Sequence, residues 1–235
     1  MHKKKWISTC QGRSLTLKLI DMLNRDYKNF AFNTIHHAFN RGNNKEKIFY
    51  DRQDYKAFIF RMSLVLGFEP KELLKNDLTS FPNSRIRINS KPNLFKIHSF
   101  CLMPNHFHLL IEQSTDIPIS RFILQLCTSF SMYFNKKYKR VGHVFQDRFK
   151  SVLVDSDPQL MWNCTYIHMN PVTSNLVNNP EEYEWSSYKD FSEDRNLPIT
   201  SRDLIPELFE NKEKFIKETL AFVKKNDMSR APLGF

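Results

Sequence analysis

The 235-residue sequence predicts an α+β fold, one antiparallel sheet with helices on one face. Three observations carry this. Short segments of period-two patterning alternate with longer segments of helical spacing. Their order is strand, helix, strand, strand, helix, strand, with helical segments added at both ends. The hydrophobic fraction of 41%, including 21 Phe, is enough to bury one core. This order is the split β-α-β, or ferredoxin-like, arrangement. It hosts many functions, so function has to be read from the site.

Thr34-Ile35-His36-His37-Ala38-Phe39 reads as the first strand, ended by the turn run Asn40-Arg41-Gly42-Asn43-Asn44. Asp51 is placed to cap a helix whose apolar residues Tyr55, Phe58, Ile59, Met62, Val65 and Leu66 recur at helical spacing. Residues 67–93, with Pro70, Pro82 and Pro92, read as an insert holding at most a short helix near Lys71 to Leu74. Leu94 to Leu102 is a strand, Met103-Pro104-Asn105 a tight turn, and His106 to Glu112 the returning strand of a hairpin. A long helix follows from about Ile119 to Tyr138, with Phe122, Ile123, Leu126, Phe130, Tyr133 and Phe134 on its apolar side. Ser151 to Val154 is the last strand. Asp157-Pro158 opens another helix, and Pro171 is expected to stop it at Asn170. Trp185 and Tyr188 pin a loop-rich stretch, and Leu204 to Lys225 is a charged, amphipathic helical region. A short helix around Leu15 to Leu23 is expected in a polar leader. The domain reading is an N-terminal extension over 1–32, a main domain over 33–190 and a C-terminal helical extension over 191–235.

The formal net charge is +10. Such an excess favours a polyanionic partner, because phosphates attract Lys and Arg and release counterions on binding. Cys10, Cys101, Cys127 and Cys164 form no C-x-x-C pair, which argues against a zinc ribbon or a disulfide framework. The basic start Met1-His2-Lys3-Lys4-Lys5 lacks the apolar run of a signal peptide, since Ser8, Thr9, Gln11, Arg13 and Lys18 interrupt it. No stretch reaches the length of a transmembrane helix. The expectation is a cytoplasmic protein, associated with the nucleoid and not with a membrane.

His106 and His108 stand two apart on a strand, so both imidazoles share one sheet face while Phe107, Leu109 and Ile111 point to the helices. Such a pair can chelate a divalent cation, or it can be two half-exposed histidines. Phosphodiester chemistry on a metal needs a third ligand and open positions. Tyr166 and Asn170 lie one turn apart on the helix after the last strand. Asn170 could supply an amide oxygen, or it could cap the helix before Pro171. Tyr166 could be a nucleophile, or it could pack in the core. A phenolate attacking a phosphodiester forms a covalent link that stores the bond energy for rejoining. The densest cationic run is Lys136-Lys137-Tyr138-Lys139-Arg140, followed by His143, Arg148 and Lys150. Tyr138, Phe145 and Phe149 are interleaved with it, which suits stacking of single-stranded bases. Arg41 is a further phosphate-contact candidate.

Several of these segments together resemble one family. Leu102-Met103-Pro104-Asn105-His106-Phe107-His108-Leu109-Leu110-Ile111 looks like the histidine-hydrophobic-histidine (HUH) strand of one-tyrosine transposases. Asn40-Arg41-Gly42-Asn43 resembles the loop after their first strand. Residues Gly142 to Ser151 and Tyr166-Ile167-His168-Met169-Asn170-Pro171-Val172 resemble two further blocks. In this order the set is similar to the REP-associated tyrosine transposases, over roughly residues 33–190. The resemblance implies the HUH nuclease version of the ferredoxin-like fold. It implies nicking and rejoining of single-stranded DNA at hairpins of palindromic repeats, through a 5′-phosphotyrosine and with Mg²⁺ or Mn²⁺. It makes His106, His108 and Asn170 metal ligands and Tyr166 the nucleophile, in a monomer or a homodimer. The alternative from another class is a non-catalytic single-stranded nucleic-acid-binding module of the same fold. A zinc hydrolase is disfavoured, because no acidic general base such as that of H-E-x-x-H stands near the His pair.

Overall fold

The computed structural model describes residues 30–68, 91–193, 195, 197–203 and 208–225. The short helices expected near 15–23 and 71–74 lie outside these residues.

Four strands form one sheet: β1 (Thr34–Arg41), β2 (Phe95–Met103), β3 (His106–Gln113) and β4 (Lys150–Val154). Their spatial order is β2-β3-β1-β4, and every neighbouring pair is antiparallel. That is the order expected of the split β-α-β arrangement. Met103 pairs with His106, so Pro104-Asn105 alone makes the hairpin turn.

Period two divides the sheet residues between two cores. Ala38, Phe107, Leu109 and Ile111 face α1 (Arg52–Leu66) and α2 (Ile119–Lys137), which bring Phe58, Met62, Phe122, Phe130 and Phe134. Phe39, Leu110, Val152 and Val154 face the other way. They are covered by α3 (Asp157–Thr173), α4 (Tyr188–Ser192) and α5 (Lys212–Lys225) through Leu160, Ile167, Tyr188, Phe215 and Phe222. The two helices within the sheet order thus share one face, as expected, and the appended helices close the second.

α1 begins where Asp51 accepts from the Asp54 amide and Asp54 accepts from the Asp51 amide, a reciprocal capping box. It ends at Gly67, whose φ of 90° is left-handed. A Cβ at Gly67 would also lie 2.6 Å from the Pro92 nitrogen. Asp54 ties the two helices together. Its buried carboxylate accepts from Lys137 Nζ at 2.7 Å, the Tyr133 hydroxyl at 2.9 Å and the Tyr138 hydroxyl at 2.7 Å.

α3 corrects one expectation. Pro171 does not stop it; the helix runs to Thr173, and the Ser174 amide bonds to the Asn170 carbonyl at 3.0 Å. A proline in the last turn removes a single backbone bond and leaves the ending to Ser174. Asn170 is therefore inside the helix, not its cap. Among the described residues, no helix is long and apolar enough to cross a membrane.

Candidate functional site

His106 and His108 project from β3 onto the face covered by α3. Their ring centroids are 4.9 Å apart and their planes nearly perpendicular, at 87°. Burial pushes the His106 pKa down to about 3, with the positive charge of Arg41 acting in the same direction. His108 is fully buried and lies well below its ordinary value, first from desolvation and then from His106, His37 and Arg41. Both rings are neutral at pH 7, the form that ligates metals.

The partners of His106 decide which nitrogen carries its proton. Nδ1 lies 2.6 Å from Asn105 Oδ1, and Asn105 Nδ2 donates to the Lys45 carbonyl at 3.1 Å. A carbonyl only accepts, so the amide orientation is fixed and Oδ1 must accept from His106. His106 is protonated on Nδ1, and Nε2 carries the lone pair.

α3 presents Tyr166 and Asn170 one turn apart. The Tyr166 ring stands 5.7 Å from the His108 ring and stacks on Trp162 at 4.9 Å. The tyrosine is only 4% exposed. Burial pushes its pKa above the ordinary phenol value, while the Asn170 side chain pulls in the opposite direction. Asn170 is also buried, and its Nδ2 donates to the Tyr166 backbone carbonyl at 2.9 Å. Its Oδ1 is thereby the side-chain atom suited to ligation. Among the described residues, no three His, Cys, Asp or Glu side chains gather at one possible metal site. A cation on the His106–His108 pair therefore needs a ligand of another type, and an amide oxygen on α3 is such a ligand.

Cations border the pair on one side. Arg41 ends β1 directly opposite His106, and Phe39 stands opposite His108. Phe39, Arg41, Gln146, Asp147, Arg148 and Lys150 line a surface groove there. The loop before β4 is held to β1 by the bonds Gln146 N to Arg41 O at 3.0 Å and Asn40 Nδ2 to Asp147 O at 3.1 Å. Gly42 permits this close turn, since a Cβ would lie 2.2 Å from the Glu46 carbonyl oxygen.

The structure thus brings His106, His108 and Tyr166 together, with Asn170 one turn further along α3. It places Arg41, Arg148 and Lys150 beside them. Lys136, Lys139 and His143 are exposed at and after the end of α2. Lys137 corrects the sequence reading. Its ammonium is bound by Asp51 and Asp54, both at 2.7 Å, and its side chain is 15% exposed, so it serves the fold. Arg140 pairs with Glu46 at 3.0 Å and lies over the Phe134 ring. The interleaved aromatics are corrected too. Phe145 and Phe149 are buried in the first core, so neither is a base-stacking platform, and Tyr138, half-buried, has its hydroxyl bonded to Asp54. Sequence reasoning passed over His37, whose ring is 5.1 Å from that of His108, and Asn105, whose Oδ1 meets His106 Nδ1. Only the β1–β3 register reveals His37, because pairing across 71 residues leaves no local signal.

The fold and the His-Tyr pair are joined by a class-level match. Residues 65–170 match the family model of IS200-like transposases, a span containing His106, His108, Tyr166 and Asn170. The chain also resembles the REP-associated tyrosine transposases. It is 27% identical over 150 residues to a Haemophilus influenzae protein named for that group, covering 59% of this chain and 84% of the relative. A solved REP-associated tyrosine transposase bound to a REP hairpin matches 74% of this chain and 86% of its own, at 15% identity and a TM-score of 0.49. The resemblance read from the sequence is borne out by the family match and the Haemophilus relative.

Proposed function

We propose that this protein nicks and rejoins single-stranded DNA, with Tyr166 as nucleophile and His106, His108 and Asn170 as ligands of Mg²⁺ or Mn²⁺. The observation that carries the reading is the Tyr166 ring 5.7 Å from His108, itself 4.9 Å from His106. The donor set fits a divalent cation. Two neutral imidazoles and an amide oxygen leave positions open for phosphate oxygens. A cation bound there would polarise the scissile phosphate and favour the ionised phenol.

The chain's own groups do the rest. The Tyr166 oxygen loses its proton to solvent and attacks phosphorus. A phosphorus–tyrosine oxygen bond forms and the bond from phosphorus to the 3′ oxygen breaks. The leaving 3′ oxygen takes up a proton, giving a free 3′-hydroxyl and a 5′-phosphotyrosine. Attack by a 3′-hydroxyl reverses the step. Burial of Tyr166 keeps the phenol protonated until a cation and substrate arrive. Arg41, Arg148 and Lys150 hold neighbouring phosphates. Hairpin-bearing single strands from palindromic repeats are the proposed substrate, in keeping with the Haemophilus relative named as a REP-associated tyrosine transposase. The proposed setting is the nucleoid.

The test uses a hairpin oligonucleotide labelled at its 3′ end, incubated with the full chain and Mn²⁺. The expected product is a labelled, detergent-resistant protein–DNA adduct that disappears with chelator. Tight binding indifferent to chelator, with no strand cut, would instead identify a binding module.

A further inference from the structure

We propose that Tyr50 is a stacking platform for an unpaired DNA base, within an aromatic and cationic patch where the loop before α1 meets the end of α2. The assignment rests on the reading of the protein as a binder of single-stranded DNA, but not on the cleavage step.

Phe49 and Tyr50 are chain neighbours with different surroundings. Phe49 is 2% exposed, and its ring centroid lies 4.5 Å from that of Tyr55 and 5.4 Å from those of Phe58 and Phe130. The apolar contact at the start of α1 is therefore made by Phe49. Tyr50 is 53% exposed. Its ring is nevertheless held in place. The Tyr50 amide donates to Asp54 Oδ2 at 2.8 Å. The ring stacks on Phe134 at 5.6 Å, 15° from parallel, and meets Tyr138 at 5.0 Å and 61°. Phe134 is fully buried, so Tyr50 rests on the core and offers the rest of its ring to solvent. An aromatic surface fixed in this way needs little further ordering when a base docks on it.

Cations surround the ring. The Arg140 guanidinium lies 5.5 Å over Phe134, the ring on which Tyr50 stacks. Its pair with Glu46 is at the surface, with side chains 30% and 50% exposed, so a phosphate can compete for it. Lys136 and Lys139 are exposed in the same run. Of the carboxylates on these elements, Asp51 and Asp54 are bound by Lys137 and Glu46 by Arg140. An exposed ring among cations is the arrangement that binds single strands, bases on the ring and phosphates on the cations. Tyr50 fills the role that the sequence pattern offered to Phe145 and Phe149.

The patch is joined to the candidate site. The Ile48 and Phe49 amides donate to the Pro104 carbonyl at 2.9 and 3.1 Å, in the turn that leads into His106. The Asn43 amide donates to the Val144 carbonyl at 2.8 Å, and the Gln146 amide to the Arg41 carbonyl at 3.0 Å. Arg41, Arg148 and Tyr50 are thus carried by segments bonded to one another at the His106 end of the sheet. A strand held by the two arginines has Tyr50 as its next aromatic surface.

Fluorescence anisotropy in chelator, where no strand is cut, compares a hairpin bearing an unpaired tail with a fully paired duplex of the same length. Tyr50→Ala is expected to weaken binding of the tailed hairpin at least about fivefold and to change duplex binding less than about twofold. Tyr50→Phe, which keeps the ring, is expected to bind as wild type. The ring is uncharged, so Tyr50→Ala keeps the slope of log K against log salt, whereas Lys139→Met lowers it by about 0.7. Wild-type affinity of Tyr50→Ala for the tailed hairpin overturns the proposal. An equal loss on hairpin and duplex, or a loss in Tyr50→Phe as large as in Tyr50→Ala, also overturns it. A wild type that binds neither nucleic acid overturns it together with the DNA reading. Absence of a covalent adduct rejects only the nuclease reading, and these affinities still decide the role of Tyr50.

Discussion

Lys137→Met asks whether the basic end of α2 serves the fold or the nucleic acid. Asp54 is 0% exposed, and its Oδ1 accepts from Lys137 Nζ at 2.7 Å. Removing the cation leaves a buried carboxylate without its countercharge. Breaking one partner of a buried ion pair costs about 3–5 kcal/mol. Here Asp54 keeps the Tyr133 and Tyr138 hydroxyls and the Tyr50 amide at 2.8 Å, so the lower end of that range applies. About 3 kcal/mol at roughly 2–4 °C per kcal/mol gives a Tm about 6–12 °C lower. A Lys on phosphate behaves differently. Its loss would reduce the slope of log K against log salt by about 0.7 on a single strand. Thermal unfolding by circular dichroism and anisotropy of a labelled hairpin across a salt series read both quantities. The expected variant is destabilised with an unchanged slope. A Tm within about 2 °C of wild type, with a slope lower by about 0.7, would refute the structural role.

Three further outcomes are expected. Lys150→Met and Arg148→Met should leave Tm nearly unchanged and each lower the salt slope by about 0.7; unchanged slopes would remove the groove beside β1 from the DNA path. Burial pushes His37, His106 and His168 down to about 3 from an ordinary 6.5, so the unfolded chain takes up protons first on acidification. Their contribution to stability is full above pH 6.5 and is lost toward pH 3, by up to about 1.4 kcal/mol per pH unit per group, so the urea midpoint should already fall between pH 6.5 and 5, and a flat midpoint there would contradict the buried neutral rings. Asn170→Ala should weaken Mn²⁺ binding by about tenfold or more while Tyr166→Phe leaves it nearly unchanged, measured by calorimetry; equal affinities in wild type and both variants would exclude Asn170 as a ligand.

The local rules read best where the chemistry is local. Asp51 and Asp54 signal their helix start within four residues, and the alternation from His106 to Ile111 assigns both faces of β3. Long-range partners were beyond reach. Lys137 looks like one of four cations in the run 136–140 until Asp51 and Asp54, more than 80 residues earlier, fold onto it. Phe145 and Phe149 alternate with basic residues in the sequence, yet hydrophobic burial claims them for the core. Pro171 reads as a stop because its penalty is severe in a helix interior, but that penalty is mild in a last turn. His37 sits beside an equally plausible His36, and only the β1–β3 register selects it for the site.

The central claim is that Tyr166 becomes covalently joined to DNA beside the histidine pair. Digestion of the Mn²⁺-dependent adduct, followed by mass spectrometry of the peptides, tests it directly. The account predicts a 5′-linked nucleotide on the peptide containing Tyr166, and no adduct in Tyr166→Phe protein that still binds the hairpin. An adduct on any other residue, or strand cleavage at the wild-type rate in Tyr166→Phe, would contradict it.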